Sequence, residues 1–493
     1  MAKLPLGIYN EAQIRALDRY ASGDLQIPSF ALMTRAGEAG LHALRSYWPG
    51  TQCVVILCGP GNNGGDGYVL ARAAIERRLN VKVVALTDPA KLSGDAQRAW
   101  LEYRAAGGVA IEWSEDVLVD ADVIVDAIFG IGLTRQISGT IAACIAAVNA
   151  SPAHVLSLDV PSGLASDTGQ IQGCAVRAER TISFLGLKLG FYLGEGPNCT
   201  GIVMCDLLDV PETAFAVVPP SALRIDEDIL PRVLPRRRRT THKGQQGHVL
   251  VIAGGEGMAG AARLCGEAAL RVGSGLVTVA TRPENAAAIT ASRPELICRA
   301  IESAAQLQPL LERADVVAIG PGLGQDDWSR AMLSGLGSCE RPTVVDADAL
   351  NLLAQTPRAC ANWILTPHPG EAGRLLGVSA SDIQRDRLSA VKQIAARYGG
   401  VVVLKGAGTL VFTEGELPCI CDRGNPGMAS PGMGDVLTGV IAAILAQGSG
   451  CAEAASAGVF VHATAGDMAA NRGERGILAS DLFNHLPACV NPN

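Results

Sequence analysis

A glycine-rich turn in the second half of the chain places a carboxylate where it could assist phosphate chemistry. Residues 425–435 are rich in glycine and end at Asp435, and the apolar residues 436–446 follow directly. Such a turn can direct backbone N–H groups and the N-terminus of a helix at a phosphate. Asp435 would then lie where a substrate hydroxyl meets that phosphate, as a base or an orienting group. The alternative is a loop with a capping aspartate.

Four further segments of the same half could contribute to one site. They are the turns at 254–262 and 320–324, the segment 366–371 around His368, and the segment 401–409, in which Lys405 follows four apolar residues. A lysine at a strand end can neutralise phosphate charge, and small residues after it let a nucleotide approach closely. Each segment alone is a weak signal, because glycine turns are common and a histidine beside prolines is more often structural. Five together indicate a phosphate-transfer site.

The first half carries another glycine turn between a buried strand and a helix. The sequence predicts a strand over residues 53–57, a turn over 58–67 and a helix over 68–78. Because glycine permits positive φ and close backbone approach, this turn could hold the phosphates or amide groups of a dinucleotide. It matches neither the G-x-G-x-x-G pattern nor a P-loop, and it lacks the P-loop lysine. Nucleotide hydrolysis is therefore not expected here.

Oxygen-bearing side chains follow two later strands of the first half. Asp126 ends one apolar run, and Asp159 and Ser162 follow the next. The carboxyl ends of parallel strands share one edge of a sheet, so these side chains are expected near Asn63 of the glycine turn. Asn63, Asp126 and Ser162 would then offer hard oxygen ligands to a monovalent cation, with Asp159 left as an acid or base. The alternative is that the two aspartates cap helices.

Composition indicates an α/β protein of two domains. The chain has 493 residues, which is too many for one core. It is 48% hydrophobic but only 4% aromatic, so alanine and branched aliphatic residues must fill the cores. That balance favours alanine-rich helices on parallel strands. Prolines concentrated in residues 209–242 mark the joint, and the predicted domains are 1–220 and 225–493.

Several classes of function are excluded by charge, cysteines and hydropathy. The net charge of −7 gives no reason to expect nucleic-acid binding, and the arginine run at 236–239 is interpreted as solvated. The 14 cysteines include no C-x-x-C pair, which indicates reduced, buried thiols rather than zinc ligands or a disulfide framework. No apolar run resembles a signal peptide or is long enough to span a bilayer, so a cytoplasmic location without membrane attachment is expected.

Residues 8–215 resemble the YjeF N-terminal family, the NAD(P)H-hydrate epimerases. The similarity lies in the segments 11–20, 32–37 and 181–190 and in the glycine-asparagine turn. The resemblance implies a Rossmann-like three-layer domain, with potassium held by Asn63, Asp126 and Ser162 and with Asp159 acting at the substrate. Lys188 is a weaker candidate for a catalytic residue. The implied substrate contacts are Asn62, Asn63, Gly64, Gly65, Asp66, Gly130, Ile131, Gly132, Leu133, Thr134, Arg135, Gln136 and Asp159.

Residues 225–488 resemble the ribokinase-like superfamily, and more closely its YjeF C-terminal members, the ADP/ATP-dependent NAD(P)H-hydrate dehydratases. The resemblance implies that Asp435 is catalytic. The implied nucleotide contacts are Lys405, Gly406, Ala407, Gly408, Thr409 and Gly434, and the implied contacts with the hydrated cofactor are Gly260, Ala261, Gly322, His368 and Asp435. The Gly-Met-Gly-Asp sequence differs from the Gly-Ala-Gly-Asp of many sugar kinases at Met433, whose neighbours carry the phosphate chemistry.

Together the resemblances imply a bifunctional repair activity on hydrated NADH and NADPH. One domain would interconvert the two C6 epimers, and the other would dehydrate the S epimer with ADP and Mg²⁺, giving AMP and phosphate. ADP is favoured over ATP by analogy with bacterial members, and a homo-oligomer is expected. A vitamin or sugar kinase with an accessory domain is the main alternative, and a nucleotide-sensing protein without turnover is another.

Overall fold

Strands and helices alternate along most of the chain, as the alternation of apolar runs and alanine-rich segments predicts. The computed structural model describes residues 3–337 and 340–491. The chain divides into two compact units, Met1–Leu223 and Arg224–Asn493.

The strands are β1 Gly7–Tyr9, β2 Cys53–Cys58, β3 Asn80–Ala85, β4 Ala110–Ile111, β5 Val123–Ala127, β6 His154–Leu158, β7 Arg180–Phe184, β8 Leu187–Lys188, β9 Ile202–Asp206, β10 Ala222–Arg224, β11 His248–Ile252, β12 Leu276–Thr281, β13 Ile297–Ala300, β14 Val316–Ile319, β15 Thr343–Val345, β16 Trp363–Leu365, β17 Val401–Leu404, β18 Thr409–Thr413 and β19 Cys419–Cys421. The helices are α1 Glu11–Gly23, α2 Ser29–Tyr47, α3 Asn62–Glu76, α4 Gly94–Ala105, α5 Gly139–Ala150, α6 Gly196–Cys199, α7 Glu212–Val217, α8 Leu230–Val233, α9 Ala259–Val272, α10 Pro283–Ser292, α11 Gln308–Leu311, α12 Asp327–Ser334, α13 Ala347–Gln355, α14 Pro369–Leu376, α15 Ala380–Arg385, α16 Arg387–Tyr398, α17 Met433–Ala446, α18 Cys451–Ala469 and α19 Leu486–Cys489.

The first unit is built on a seven-stranded sheet in the order β4-β3-β2-β5-β6-β7-β9. Every neighbouring pair in it is parallel. Val54 and Ile56 of β2 pack with residues of α1 to α4, whereas Val55 and Leu57 pack with residues of α5. Helices therefore cover both faces, and the predicted three-layer α/β arrangement is confirmed. The order of strands reverses between β2 and β5, because β3 and β4 lie on one side of β2 and the later strands lie on the other. Ligands of open α/β sheets bind at such a point.

Helix α3 begins earlier than the sequence predicts. The expected start at residue 68 is wrong, because the helix runs from Asn62 and contains most of the glycine turn. A Cβ on Gly64 would lie 2.1 Å from the Gly59 carbonyl oxygen, and one on Gly65 would lie 2.6 Å from Met33 Cε. These glycines therefore let the first turns of the helix pack closely, and they place Asn62, Asn63 and Asp66 on a rigid element.

The second unit contains a sheet in the order β13-β12-β11-β14-β15-β16-β17-β18-β19. The pairs from β13 to β17 are parallel, and β18 pairs antiparallel with both β17 and β19. Val249 and Val251 of β11 pack with residues of α9, α17 and α18. The ten residues 436–445 of α17 are all buried, so this helix is a fixed support for the turn that precedes it. The order of strands reverses between β11 and β14.

Three properties expected from composition can be compared with the structure. The arginines at 236–239 are exposed, as predicted. Twelve cysteines in the described part of the chain are free thiols, but Cys360 is disulfide-bonded, so the expectation of uniformly reduced thiols is wrong there. Among residues 3–337 and 340–491, no helix is long and apolar enough to cross a membrane.

Candidate active sites

A cavity of about 490 Å³ lies in the first unit at the carboxyl ends of β2, β5 and β6. Most of the predicted substrate contacts line it: Asn62, Asn63, Asp66, Gly130, Ile131, Gly132, Leu133, Thr134, Arg135 and Asp159. The other three predicted contacts, Gly64, Gly65 and Gln136, are not in its wall. The two glycines serve helix packing, and Gln136 donates a hydrogen bond to Gln172 at 3.3 Å. The cavity also takes Arg15 and Asp18 from α1, which the sequence did not indicate.

Asp159 and Lys188 form an ion pair in this unit. Lys188 is fully buried, and its Nζ donates to Asp159 Oδ1 at 2.5 Å, to Ser183 Oγ at 2.9 Å and to the Phe184 carbonyl at 2.8 Å. The other Asp159 oxygen, Oδ2, accepts from the Ile131 amide at 3.3 Å. Asp159 has a φ of 63°, a left-handed conformation that is uncommon outside glycine. A strained backbone and a lysine with all three donors used therefore fix this carboxylate at the cavity wall.

Asp126 and Ser162, two of the three predicted cation ligands, are in direct contact. Asp126 is completely buried and accepts four hydrogen bonds: from Ser162 Oγ at 2.5 Å, the Ser162 amide at 2.8 Å, Ser157 Oγ at 2.8 Å and the Ile128 amide at 3.2 Å. Burial raises its pKa, and the hydrogen bonds from Ser162, Ser157 and Ile128 oppose that rise. Neither Asp126 nor Asp159 is a helix N-cap, so the capping alternative does not hold.

Asn63, the third predicted cation ligand, has a buried oxygen that no hydrogen bond satisfies. Its Nδ2 donates to the Leu158 carbonyl at 3.2 Å, while its Oδ1 has no partner. Asn63 and Asp159 both approach Gly130, since a Cβ there would lie 3.6 Å from Asn63 Cβ and 2.7 Å from Asp159 Oδ2. Buried polar atoms normally have partners. An orphaned buried carbonyl oxygen fits a weakly hydrated hard cation, which prefers oxygen ligands.

Asp66 adds a second carboxyl to the cavity. Burial raises its pKa well above the usual range, the negative charges of Asp159 and Asp18 raise it further, and Lys188 opposes them. Burial also raises the pKa of Asp18, with Asp95 adding to the rise. Asp66 therefore favours its protonated form, so the cavity wall offers a proton-donating carboxyl near the ion-paired Asp159.

Asp346 is the centre of a buried hydrogen-bonded cluster in the second unit. It is 1% exposed, and its Oδ1 accepts from Lys405 Nζ at 2.7 Å and from Thr366 Oγ1 at 2.8 Å. Its Oδ2 accepts from Thr438 Oγ1 at 2.8 Å. Lys405 Nζ also lies 3.7 Å from Glu371 Oε2. Burial opposes the charge of Lys405, but Asp346 and Glu371 outweigh it and raise the lysine pKa.

Asp435 lies in the first turn of α17, distant in sequence from Asp346 but close enough for the charges of this cluster to act on it. The N-cap residue of α17 is Gly432, with a φ of 87°, so Asp435 is not a capping residue. Burial raises the Asp435 pKa to about 7; the charges of Asp346, Asp348 and Glu371 add to the rise, and Lys405 opposes it. A Cβ on Gly434 would lie 3.3 Å from Lys405 Nζ and 3.6 Å from Asp346 Oδ2. The glycine turn thus brings the helix N-terminus against the lysine.

The predicted nucleotide contacts Lys405 to Thr409 form the loop after β17 and the first residue of β18, and Arg387 binds the backbone of this loop. This arginine is 4% exposed, and its Nη2 donates to the carbonyls of Leu404, Lys405 and Gly408 at 3.1 to 3.4 Å. Thr409 Oγ1 donates to the Gly406 carbonyl at 2.8 Å. The loop is therefore rigid at its base.

The predicted contacts for the hydrated cofactor lie at the same edge of the sheet. Gly322 is beside Ala261, since a Cβ on Gly322 would lie 3.0 Å from Ala261 Cβ. Gly260 has open space around it. His368 is half exposed and serves as the N-cap of α14, with Nδ1 accepting from the Gly370 amide at 2.9 Å. Burial lowers its pKa, so the ring is neutral and keeps Nε2–H as a donor.

Three residues of this site were not found from the sequence: Asp346, Arg387 and Thr438. A signal for one of them was present, because Asp346-Ala347-Asp348 follows the apolar strand β15 directly. No local pattern marks the others, since each acts through a contact with a distant segment.

The two units define an α/β enzyme with two separate sites, one of them built for nucleotide chemistry. The family described as YjeF-related protein N-terminus matches residues 29–190, and the family described as NAD(P)H-hydrate dehydratase matches residues 249–488. The bifunctional NAD(P)H-hydrate repair enzyme Nnr of Coxiella burnetii is 47% identical, over 98% of this chain and 99% of its own length.

The enzyme of the same name from Escherichia coli K12 is 43% identical, over 99% of this chain and 95% of its own length. A ribokinase-like superfamily protein of Enterococcus faecalis V583 is similar in structure, with a TM-score of 0.51 and 30% identity over 54% of this chain and 94% of that one. This chain belongs to the family of bifunctional NAD(P)H-hydrate repair enzymes.

Proposed function

We propose that this chain repairs hydrated nicotinamide nucleotides in two steps. Residues 1–220 form the domain that interconverts the R and S epimers of NAD(P)H hydrate. Residues 225–493 form the domain that dehydrates the S epimer at the expense of ADP, giving NAD(P)H, AMP and phosphate. The observation that carries the proposal is that Asp435, in the first turn of a helix and with a pKa of about 7, lies within the field of Lys405, which is paired with the buried Asp346.

Dehydration would proceed through a phosphate ester, since hydroxide is a poor leaving group and phosphate a good one. The C6 hydroxyl oxygen attacks the terminal phosphorus of ADP, the bond from that phosphorus to the bridging oxygen breaks, and AMP leaves. Asp435 accepts the hydroxyl proton. The C6–O bond then breaks with phosphate leaving, C5 loses a proton to water, and the double bond between C5 and C6 re-forms. Lys405 and the N-terminus of α17 would stabilise charge on the transferred group.

Magnesium is proposed to enter this site with the nucleotide. In the described residues no group of three or more histidine, cysteine or acidic side chains could hold a metal ion on its own. Mg²⁺ commonly keeps several waters and binds through phosphate oxygens with one or two carboxylates. The residues present therefore fit a metal that arrives as the nucleotide complex, where it would neutralise phosphate charge.

Epimerisation is assigned to the cavity of the first unit. Inversion at C6 requires that carbon to become planar: the C6 hydroxyl loses its proton, the bond from C6 to the ring nitrogen breaks to leave an aldehyde, and the nitrogen re-closes on the other face while the oxygen regains the proton. Asp159, held in the cavity wall by Lys188 and Ile131, is placed to exchange that proton. Asp66, whose raised pKa favours its protonated form, is a second group in the same cavity that can donate a proton.

Potassium is proposed to bind beside this cavity through oxygen atoms of Asn63, Asp126 and Ser162. The support is the orphaned Asn63 Oδ1 and the buried carboxylate of Asp126. The ion would position the substrate and the 128–131 loop. Replacing potassium by a large organic cation should slow epimer exchange measured by NMR, and indifference to that replacement would remove the ion from the proposal.

The direct test mixes hydrated NADH, Mg²⁺ and either ADP or ATP with the protein. The proposal expects NADH absorbance to return, with one AMP formed for each NADH when ADP is supplied. A stable phosphorylated product would support the kinase alternative, and binding without turnover would support the nucleotide-sensing alternative. The cytoplasmic location and the homo-oligomeric state stay predictions, tested by fractionation and by light scattering.

A further inference from the structure

Asp346 connects four segments that meet at the phosphate-transfer site. It follows β15, and its carboxylate accepts from Thr366 after β16, from Lys405 after β17 and from Thr438 on α17. Thr366 and Thr438 are completely buried. All of the hydrogen bonds run toward one carboxylate, so its removal would release three elements at once.

The backbone around Asp346 is shaped to hold this position. Ala347 has a φ of 48°, an uncommon conformation for alanine. The Asp346 amide donates to the Ile319 carbonyl at 3.0 Å, which ties the residue to the end of β14. Strained residues of this kind persist where surrounding contacts over-determine them. The strain therefore indicates that the direction of this carboxylate is important.

Thr438 relates Asp346 to Asp435. The two residues Asp435 and Thr438 are three positions apart on α17, and residues at that spacing lie on one helix face. Because Thr438 donates to Asp346, the face that carries Asp435 is turned toward Asp346. Gly434 confirms the approach, since a Cβ there would lie 3.6 Å from Asp346 Oδ2.

We propose that Asp346 is a positioning residue for the dehydration step. This role rests on the function proposed above. It holds Lys405 toward the nucleotide phosphates, and as a fixed negative charge behind Asp435 it makes that carboxylate a stronger proton acceptor. Asp346 itself touches no substrate in this assignment, because its oxygens are all engaged by Lys405, Thr366 and Thr438.

The charges that face Asp435 come from several elements. Asp346 and Asp348 lie at the start of α13, Glu371 on α14 and Lys405 after β17. The Cys265 thiol on α9 is neutral, because burial and the charges of Asp435 and Asp346 raise its pKa. Burial lowers the pKa of His462 on α18 to about 4, so it is neutral as well. Asp346 is the largest charged contribution to the raised Asp435 pKa.

The test compares D346N with T438V and a surface control. Asparagine keeps the shape of Asp346 and removes its charge, whereas T438V removes one hydrogen bond and no charge. D326N is the control, since Asp326 caps α12 and is not among the charges acting on Asp435. For each variant, kcat/KM for dehydration is measured against pH, and KM for ADP and the melting temperature are measured alongside.

D346N is expected to move the acid limb of the pH profile about one pH unit lower, the effect of removing a nearby like charge. Its KM for ADP should rise about tenfold through the loss of a charge-assisted contact to Lys405. T438V should lower kcat and leave the acid limb in place, and D326N should change melting alone. The proposal would be overturned by a folded D346N whose acid limb lies at the same pH as in wild type and whose KM for ADP is within about twofold of wild type.

If D346N does not fold, kcat of T438V tests the positioning role of Asp346. Wild-type kcat in a folded T438V would then overturn the positioning role, and a reduced kcat with normal melting would support it. Absence of ADP-dependent turnover in the wild-type protein is a different result, because it removes the proposed function rather than the role of Asp346.

Discussion

Lys188 Nζ lies 2.5 Å from Asp159 Oδ1, and the lysine side chain is completely buried. Removing a buried ion from water is costly unless it is paired and its remaining donors are satisfied, as they are here by Ser183 and Phe184. The pair therefore fixes one carboxylate oxygen and leaves the other beside the Ile131 amide, at the wall of the cavity. The arrangement combines a rigid acid or base with an enclosed binding space.

Asp159→Ala should slow epimer exchange about a hundredfold or more, the range for a lost general acid or base. It should also destabilise the first unit by about 3–5 kcal/mol, because Lys188 is left buried and unpaired. Asp159→Asn keeps the shape of the side chain and an acceptor for Lys188, so it should lose the acid or base with a smaller loss of stability than Asp159→Ala. NMR exchange between the epimers and thermal unfolding are the measurements.

The matched control for this pair of variants is Asp122→Asn. Asp122 directly precedes β5, and its carboxylate accepts from the Gln52 and Cys53 amides at the start of β2, both at 2.8 Å. Epimer exchange should be normal in this control. Full exchange activity in Asp159→Asn would show that Asp159 is not the acid or base.

Asp435→Asn should abolish ADP-dependent recovery of NADH while epimer exchange continues, because the two sites lie in different units. The expected loss is about a hundredfold or more. Asp326→Asn, with its charge removed from α12, should retain dehydration. Dehydration within about threefold of wild type would exclude Asp435 as the base, and loss of both reactions in a folded variant would contradict the assignment of one reaction to each unit.

The pH dependence of dehydration should follow the Asp435 carboxyl. Its pKa of about 7 means that it is protonated, and unable to accept a proton, in mildly acid solution. The rate should therefore fall about tenfold for each pH unit below that value.

The same raised pKa makes the folded state bind a proton that the unfolded state has released. Stability from this group is fully present below pH about 4 and is lost as pH rises through about 7. Asp435→Asn should accordingly melt at a higher temperature than wild type at pH about 8. An acid limb far below neutrality, or a lower melting temperature at that pH, would contradict the burial of an ionised Asp435.

Lys405→Ala should weaken ADP binding, since the ammonium supplies charge at the phosphate-transfer site. It should also lower the melting temperature, because Asp346 and Glu371 lose their shared cation. Calorimetric titration with ADP and ATP measures the first effect, and Lys392→Ala, on the exposed face of α16, is the control. Unchanged ADP binding in Lys405→Ala would move the phosphate site elsewhere.

The sheet architecture was largely accessible from the sequence. Short β-branched runs separated by alanine-rich segments predicted parallel strands, and the strand predicted over residues 53–57 is β2, Cys53–Cys58. The start of α3 was missed because glycine is a poor helix former in isolation. Close packing of Gly64 and Gly65 against distant segments overrides that preference, and such contacts leave no mark in local composition.

The sites were accessible only in part. Side chains at strand ends, such as Asp126, Asp159 and Lys405, could be predicted because parallel strands bring their carboxyl ends together. Their partners could not: Lys188 reaches Asp159 across 29 positions and Asp346 reaches Lys405 across 59. The register that creates these pairs is set by tertiary packing rather than by any local pattern.

The most direct test of the whole account supplies the R epimer of hydrated NADH alone, with ADP and Mg²⁺, and follows NADH absorbance together with AMP. We expect complete return of NADH with one AMP for each molecule, because the first unit converts R to S before the second acts. In Asp159→Asn the same experiment should slow to the spontaneous rate of epimer exchange. Failure of the wild-type protein to recover the R epimer faster than that spontaneous rate, or accumulation of a stable phosphorylated compound, would contradict the account.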